Sequence, residues 1–298
     1  MSMIQKLTSM LGFTSAAQPT RALFLMIAVL LTGACMRNDA AIPKEGDVVT
    51  WKHNSALIIR AELGQRREHI PNKIDNLIYE PEYERYIGQF PIDYVPEPFP
   101  KFTEEERVAF EAEDAKKLHA IKSMHPIEFS LMLNGAKGKT TDAYNNDDEN
   151  QVKVTVQGLT MDMRTEHITT KSSNERMLAS RDHRYFIPES LFHKYGLTCY
   201  YNSPEGRRYL CFGNSGGEGV TGVNLLVPTE KAGFTESSYE RLISADYYEP
   251  IMGGVWIKWQ THPKNWDKWR EIDAAVWRLL NAWNVAPHTN TARVGRNN

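Results

Sequence analysis

Residues 254–283, with the sequence GVWIKWQTHPKNWDKWREIDAAVWRLLNAW, decide the fold that we expect for this chain. Near the start of this stretch, Val255, Ile257 and Trp259 occupy every second position, which predicts a β-strand with one buried face. Beyond a short turn, apolar residues recur every three or four positions, which predicts an amphipathic helix over residues 266–283. Because periodic apolar residues mark a buried face, we expect the tryptophans of this strand–helix unit to pack in a core.

Upstream of this unit, short β-leaning segments alternate with polar turns, a pattern typical of an antiparallel sheet. Strands are expected at residues 48–61, 127–133, 152–156, 159–168, 177–186, 197–201, 208–212 and 220–227, with a polar loop at 169–173. One mid-chain helix is expected from Thr103 to about residue 124, because Thr103 and Glu106 form a capping box and Pro126 disfavours further helix. The expected fold class is therefore α+β, a mostly antiparallel sheet with one mid-chain helix and a C-terminal strand–helix unit.

The expected organisation of the chain has three parts. Residues 1–34 form a signal peptide, residues 35–100 a tether and an extended proline-rich segment, and residues 101–298 the α+β domain. The prolines cluster within residues 91–100. Prolines at this density disfavour a central strand or helix, so this stretch is expected to be an extended connector on the surface.

The leader is defined by an apolar run over residues 22–31, preceded by Arg21 and followed by small residues that lead to Cys35. This order of positive charge, short apolar run and small residues is typical of a secretory signal. A transmembrane helix needs about 20 apolar residues, and this run is shorter. We therefore expect the rest of the chain to be exported across the inner membrane.

Three interpretations of the leader remain open. Cys35 directly after Gly33 and Ala34 resembles a bacterial lipoprotein box, in which the cysteine is lipidated and becomes the first mature residue. The departure from that family pattern is Thr32, where the family prefers Leu, Val or Ile. The other interpretations are ordinary cleavage after Ala34 and an uncleaved short anchor. We favour the lipoprotein, which places the chain in the periplasm, attached to a membrane through Cys35.

The other two cysteines, Cys199 and Cys211, lie in segments that predict a β-hairpin, residues 197–201 and 208–212. In a symmetric hairpin Cys199 is directly opposite Cys211, within the distance that a disulfide bridges. An isolated pair of cysteines in an exported protein normally forms a disulfide. We therefore expect a disulfide between these residues rather than two reduced thiols or part of a zinc site.

The main catalytic candidate is Ser215, in the sequence GNSGG at residues 213–217. This motif resembles the nucleophile loop of chymotrypsin-like serine proteases and satisfies the Gly-x-Ser-x-Gly pattern of α/β-hydrolases. A serine becomes a good nucleophile when a histidine, oriented by a carboxylate, accepts its proton. The chain has Glu218 where the protease family has proline, and it lacks that family's histidine motif. In α/β-hydrolases the histidine follows the serine and the acid in the chain, which leaves His262 and His288 as the candidate bases here. We therefore interpret the motif as a glycine-rich turn, with a serine hydrolase as the alternative.

Composition and motifs do not favour a nucleic acid, a metal ion or a cofactor as a ligand. The formal net charge is −2 at pH 7, which differs from the basic surface that nucleic-acid binding demands, so no nucleic acid is expected as a partner. The histidines and cysteines lack the spacing of metal sites, and the phosphate-binding and dinucleotide-binding glycine motifs are absent. We therefore expect neither a metal nor a cofactor.

Two short stretches, RDHRYF at residues 181–186 and CYY at residues 199–201, carry a family resemblance. They resemble exported lipoproteins that act as immunity proteins against phospholipase effectors of type VI secretion systems, in which a similar Asp-His-Arg-Tyr stretch precedes a cysteine-bearing hairpin. The closing strand and tryptophan-rich helix are also similar in style to such proteins. The resemblance implies a non-enzymatic periplasmic protein that covers a toxin delivered by a neighbouring cell.

If the resemblance holds, the residues that would contact the protein partner are Asp182, His183, Arg184 and Tyr185. The alternative for Asp182 and Arg184 is a local ion pair within a strand. The expected function is thus protein binding by an exported, lipid-anchored module, with neutralisation of a secreted antibacterial toxin as the specific hypothesis. The other classes kept open are a serine hydrolase using Ser215 and a structural lipoprotein of the cell envelope.

Overall fold

The computed structural model describes residues 43–65, 85–117, 126–135, 148–159, 169–180, 195–201, 206–229 and 242–287. All of them belong to one compact unit, Pro43–Asn298. The predicted lipidation site Cys35 and the predicted partner contacts Asp182, His183, Arg184 and Tyr185 lie outside the described residues.

Within these ranges the chain forms ten strands, three α-helices and two short 3₁₀ segments. The strands are β1 (Val48–Asn54), β2 (Leu57–Glu62), β3 (Tyr86–Pro91), β4 (Ile127–Met132), β5 (Gln151–Gly158), β6 (Thr198–Tyr201), β7 (Arg208–Gly213), β8 (Val223–Pro228), β9 (Ile243–Glu249) and β10 (Val255–Thr261). The helices are α1 (Glu104–Lys117), α2 (Thr170–Ser180) and α3 (Trp269–Trp283), and the 3₁₀ segments are Ile251–Gly253 and Pro263–Lys268.

Eight of the strands form one sheet in the order β3-β4-β5-β10-β9-β8-β7-β6, and β1 and β2 form a separate hairpin. Every pair in the large sheet is antiparallel except β3 with β4, which is parallel. The predicted C-terminal strand is β10, in the middle of the sheet, with Trp259 opposite Val154 on one side and Ala245 on the other. The structure confirms the α+β fold and the C-terminal strand–helix unit.

The core lies between α3 and the sheet face that carries Val255, Ile257 and Trp259, all of which are completely buried. Aromatic contacts join the helix to this face. The ring of Trp283 meets Phe129 edge-on with centroids 5.1 Å apart. Aromatic pairs of this kind stabilise a core beyond the apolar area that they bury. The predicted core packing is confirmed for Trp259, Trp269, Trp277 and Trp283, which are buried, whereas Trp256 and Trp266 are half-buried.

The prediction of a strand at 177–186 is wrong for its described part, because residues 177–180 belong to α2. The helix begins where Thr169 and Ser172 exchange hydrogen bonds, Thr169 N donating to Ser172 Oγ and Ser172 N to Thr169 Oγ1, at 2.9 and 3.0 Å. Met177 and Leu178 pack against the second face of the sheet. The polar loop expected at residues 169–173 is therefore the first turn of α2, because its hydroxyl side chains cap the helix there.

The N-terminal part of the chain contributes more to the folded unit than a tether would. The β1–β2 hairpin is hydrogen-bonded to the segment that directly follows α3, where Val285 N donates to Ile58 O at 2.8 Å. Strand β3 extends the large sheet, and residues 94–100 have no regular secondary structure, which agrees with an extended connector. The predicted capping box of α1 is confirmed, since Thr103 N donates to Glu106 Oε2 and Glu106 N to Thr103 Oγ1, at 2.7 and 3.1 Å.

The predicted register of the cysteine hairpin is confirmed. Cys199 is opposite Cys211 and Tyr201 is opposite Tyr209. A disulfide joins the two cysteines, whose Cα atoms are 4.1 Å apart. The bond links β6, at one edge of the sheet, to the neighbouring strand β7.

Removing the disulfide by Cys211→Ala should lower the free energy of unfolding by about 3 kcal/mol, because the bond restricts the unfolded chain by roughly that amount for a loop of this size. Urea unfolding of the oxidised protein, the reduced protein and the variant measures the effect. We expect reduction to reproduce the loss in the unsubstituted protein and to change the variant little. Equal stability of the oxidised and reduced forms would contradict the prediction.

Candidate functional site

The segment that contains Ser215 leaves β7 and returns into β8 as a glycine-rich loop, residues 213–222. Its side toward solvent includes Asn214, Gly216, Glu218 and Gly219, all exposed. Its other side lies against α3 and β9, through the contacts described below.

Two of the glycines are required by geometry. A Cβ on Gly217 would lie 2.5 Å from Val220 Cγ2 and 2.7 Å from Cγ of Trp277, so a side chain there would push the loop off α3. Gly219 has a φ of +74°, in the left-handed region that favours glycine. The glycine richness thus lets the backbone approach the helix closely.

Asp273, on the inner face of α3, holds the first half of the loop. Its side chain is 1% exposed. The hydroxyl of Ser215 donates to this carboxylate, with Oγ 2.9 Å from Oδ2 and 3.0 Å from Oδ1. Gly216 N donates to Oδ2 at 2.6 Å, and Gly217 N donates to the Ser215 hydroxyl at 3.1 Å. One buried carboxylate therefore anchors Ser215 and Gly216 directly, and Gly217 through the Ser215 hydroxyl.

The same carboxylate is connected to the sheet. Tyr247 on β9 donates its hydroxyl proton to Asp273 Oδ1 at 2.6 Å. Trp259 on β10 donates from Nε1 to the Tyr247 hydroxyl at 3.0 Å. Tyr247 and Trp259 are both completely buried. A continuous hydrogen-bond chain thus runs from the middle of the sheet through the helix to the loop.

The electrostatics of this chain follow from its burial. Burial raises the pKa of Asp273, and the hydrogen bonds from Tyr247 and Gly216 oppose that rise by favouring the charged form. Burial, together with the neighbouring charge of Asp273, raises the pKa of Tyr247 well above its ordinary value. Tyr247 therefore stays protonated and acts as a donor.

Glu249, at the end of β9, holds the second half of the loop. Its side chain is completely buried. Thr221 donates to it twice, from its backbone N at 3.0 Å and from its hydroxyl at 2.9 Å. Burial raises the pKa of Glu249, and a hydrogen bond from the Thr170 side chain opposes the rise. The loop is therefore fixed near both ends by buried carboxylates.

The structure brings Ser215 to a carboxylate but places the described histidines elsewhere. His53 lies on β1, where its Nδ1 is 3.5 Å from Gly158 N. His262 lies in the turn before α3, where its Nε2 is 3.9 Å from Glu149. In the described part of the chain, the carboxylate of Asp273 is thus the group positioned to accept the Ser215 proton.

Sequence reasoning missed the partners of Ser215, and one signal for them was present. Trp269, Asp273, Val276 and Leu280 follow the three- and four-residue spacing of one helix face. A carboxylate on an otherwise apolar stripe must find donors when the stripe is buried. Strand β9 was also missed, although Ile243, Ala245 and Tyr247 alternate as strand residues do.

The described helices include none that is both long enough and apolar enough to cross a membrane. Within the same ranges, no group of three or more His, Cys, Asp or Glu side chains is arranged to hold a metal ion.

No protein-family model and no curated protein matches this chain. Among solved structures, the chain is similar to an immunity protein of the Stenotrophomonas maltophilia type IV secretion system, at 10% sequence identity and a TM-score of 0.34. The match covers 55% of this chain and 84% of the other chain. The likeness is loose, and the solved protein belongs to a type IV system. The type VI and phospholipase details of our hypothesis therefore depend on the sequence resemblance alone.

Replacing the anchor by Asp273→Asn should lower the free energy of unfolding by about 1–3 kcal/mol at neutral pH, because at least one buried donor loses its acceptor. The folded state binds the Asp273 proton more tightly than the unfolded state, since burial raises the pKa of this carboxyl. The part of the Asp273 contribution that depends on this bound proton is therefore largest at low pH and is lost as the pH rises through the folded-state pKa.

Urea unfolding from about pH 4 to about pH 8 measures both effects. The advantage of the unsubstituted protein over Asp273→Asn should shrink as the pH rises. Asp267→Asn, which removes an exposed carboxylate from the turn before α3, serves as the matched control and should change the free energy of unfolding at neutral pH by less than about 0.5 kcal/mol. An advantage that grows with pH would contradict a raised pKa.

Proposed function

We propose that this chain is a binding module that neutralises a protein toxin, an immunity protein of the bacterial cell envelope. In this proposal the chain is exported, and a lipid on Cys35 attaches it to a membrane on the periplasmic side. The finer part of the proposal is that the toxin is a phospholipase-type effector delivered by a type VI secretion system.

The observation that carries the proposal is the anchored glycine-rich loop. Its exposed side combines polar groups with glycine backbone, and its buried side is fixed by Asp273 and Glu249. Binding is stronger when the contact surface is ordered before the partner arrives, because less conformational entropy is lost. Functional contacts are also concentrated on loops that a rigid scaffold positions. The loop therefore has the properties of a preformed contact surface for another protein.

The disulfide supports the exported location in this proposal. Cys199 and Cys211 are joined on adjacent strands, and such bonds persist in oxidising compartments. The family of the partner is proposed from the resemblance of residues 181–186 to immunity lipoproteins. In the proposal, Asp182, His183, Arg184 and Tyr185 add a second set of contacts to those of the loop.

The genetic test is competition between sister cells. Cells that lack the gene for this chain should be killed only by sister cells that carry the cognate effector, and expression of the chain should restore survival. Expression of Cys35→Ser, which removes the lipidation site, separates the contribution of the anchor from that of binding. Unchanged survival of the deletion strain would remove the immunity role.

Charge reversal at the loop tip tests which surface binds. Glu218→Arg places a cation on the exposed side of the loop and should weaken binding of the purified effector at least about tenfold, the effect of 1.4 kcal/mol. Glu105→Arg, at an exposed position in the first turn of α1, is the matched control and should bind as the unsubstituted chain does. Calorimetry on the folded variants measures both affinities. Equal loss in the two variants would show that net charge, not the loop, controls binding.

A serine hydrolase remains the alternative, because the Ser215 hydroxyl donates to a buried carboxylate. A carboxylate with a raised pKa is a stronger base than an ordinary one, and it could take the hydroxyl proton. The alternative predicts that a fluorophosphonate probe labels Ser215 and that Ser215→Ala abolishes labelling while leaving the fold intact. In the binding-module proposal the probe leaves Ser215 unlabelled, and Ser215→Ala still protects cells.

A further inference from the structure

The turn between β9 and β10, residues 250–254, contains three successive residues with a positive φ. Gly253 and Gly254 have φ values of +72° and +95°, which glycine adopts without steric cost. Met252 precedes them with a φ of +53° and a ψ of +34°, in the left-handed region that other side chains disfavour. Within the described ranges, Met252 is the only residue other than glycine with a positive φ. Strained residues of this kind persist only where their surroundings fix them, and they are concentrated at functional sites.

The β1–β2 turn holds one side of the β9–β10 turn. Asn54 Nδ2 donates to Gly254 O at 3.3 Å, and Ala56 N donates to Asn54 Oδ1 at 2.8 Å. A Cβ on Gly253 would lie 2.6 Å from Asn54 Oδ1, so the two turns are in close contact. The turn that carries Met252 is therefore held in place by a neighbouring turn.

The glycine-rich loop lies along the other side of the β9–β10 turn. A Cβ on Gly219 would lie 3.2 Å from Ile251 Cγ2. Val220, Ile251 and Met252 are half-buried and pack on the main core. Gly219 itself is exposed. The loop and the turn therefore form one surface, in which half-buried apolar side chains lie beside exposed glycine backbone.

We propose that Met252 is an apolar anchor of the surface that binds the toxin, and that this surface extends from the glycine-rich loop across the β9–β10 turn. This role of Met252 rests on the immunity function proposed above. A glycine at position 252 would relieve the backbone strain, so methionine has a folding cost there that a contact with a partner explains. Methionine side chains adapt to irregular apolar surfaces and are enriched at the centres of interfaces.

The partner that fits this surface is a protein with two matching features. It places an apolar side chain against Met252, and it places a basic side chain against the exposed carboxylate of Glu218.

Protection of cells is the first test. The deletion strain receives the unsubstituted chain or a variant and is mixed with sister cells that carry the effector. Met252→Gly relieves the strain and Met252→Asn fits the left-handed region, but both remove the apolar side chain, so both should protect less well. Met252→Leu keeps an apolar side chain on the same backbone and should protect fully. Val108→Ala, which trims a 51% exposed apolar side chain on α1, is the matched control and should also protect fully.

Affinity and stability complete the test. Calorimetry uses the effector purified from the sister cells that kill the deletion strain. Met252→Gly and Met252→Asn should bind it at least about tenfold more weakly, as expected for truncation of an interface anchor, and Met252→Leu should bind within about threefold. The thermal midpoint of Met252→Gly should change by less than about 4 °C, because relief of strain offsets the lost packing.

The outcomes separate the role of Met252 from the immunity function. Survival of the deletion strain without any chain would remove the immunity function and the role of Met252 with it. Killing of that strain, together with full affinity in Met252→Gly and Met252→Asn, would overturn the role of Met252 alone. A large fall in the midpoint of Met252→Gly with affinity retained would show that Met252 serves only the packing of the core. Equal loss of affinity in Val108→Ala would also overturn the proposal.

Discussion

The carboxylate of Asp273 is the contact on which the arrangement of this protein depends, because it is the point where helix, sheet and loop meet. It accepts from Ser215 and Gly216 in the loop and from Tyr247 in the sheet, while it is itself part of α3. An ionised group removed from water is costly unless several hydrogen bonds replace its hydration. The position of the loop and the packing of α3 are therefore coupled through one side chain.

The sheet sets the frame in which this contact forms. Its inner face is apolar and packs on α3, and its opposite face is covered in part by α2 through Met177 and Leu178. Strand β10 is central, so Trp259 is held on both sides by paired strands. The buried indole can then orient the Tyr247 hydroxyl toward Asp273. The apolar core and the polar chain are thus parts of the same packing.

Periodicity in the sequence predicted the elements whose pattern is local. The alternation of β10, the stripe of α3, the capping box of Thr103 and the register of Cys199 with Cys211 were all read from spacing and agree with the structure. The sequence predicts a loop at the start of α2 and a strand at its end, and the loop was predicted because hydroxyl residues favour turns as well as helix caps. Spacing marks Asp273 as a carboxylate on a buried stripe that needs donors, but it does not show which residues those donors are. Ser215 and Tyr247 come from distant elements that only the fold brings to Asp273.

The number of donors explains why the anchors are carboxylates rather than amides. An asparagine at position 273 offers one oxygen and would direct its NH₂ group at the remaining donors, whereas a carboxylate accepts on both oxygens. Three donors converge on Asp273, and two from Thr221 converge on Glu249. Because the buried side of the loop is specified by these few contacts, the exposed side chains of Asn214 and Glu218 can differ without loss of shape. A fixed support beneath an exposed loop is a common arrangement in folded proteins, because a rigid scaffold tolerates variation in the residues that its loops present to solvent.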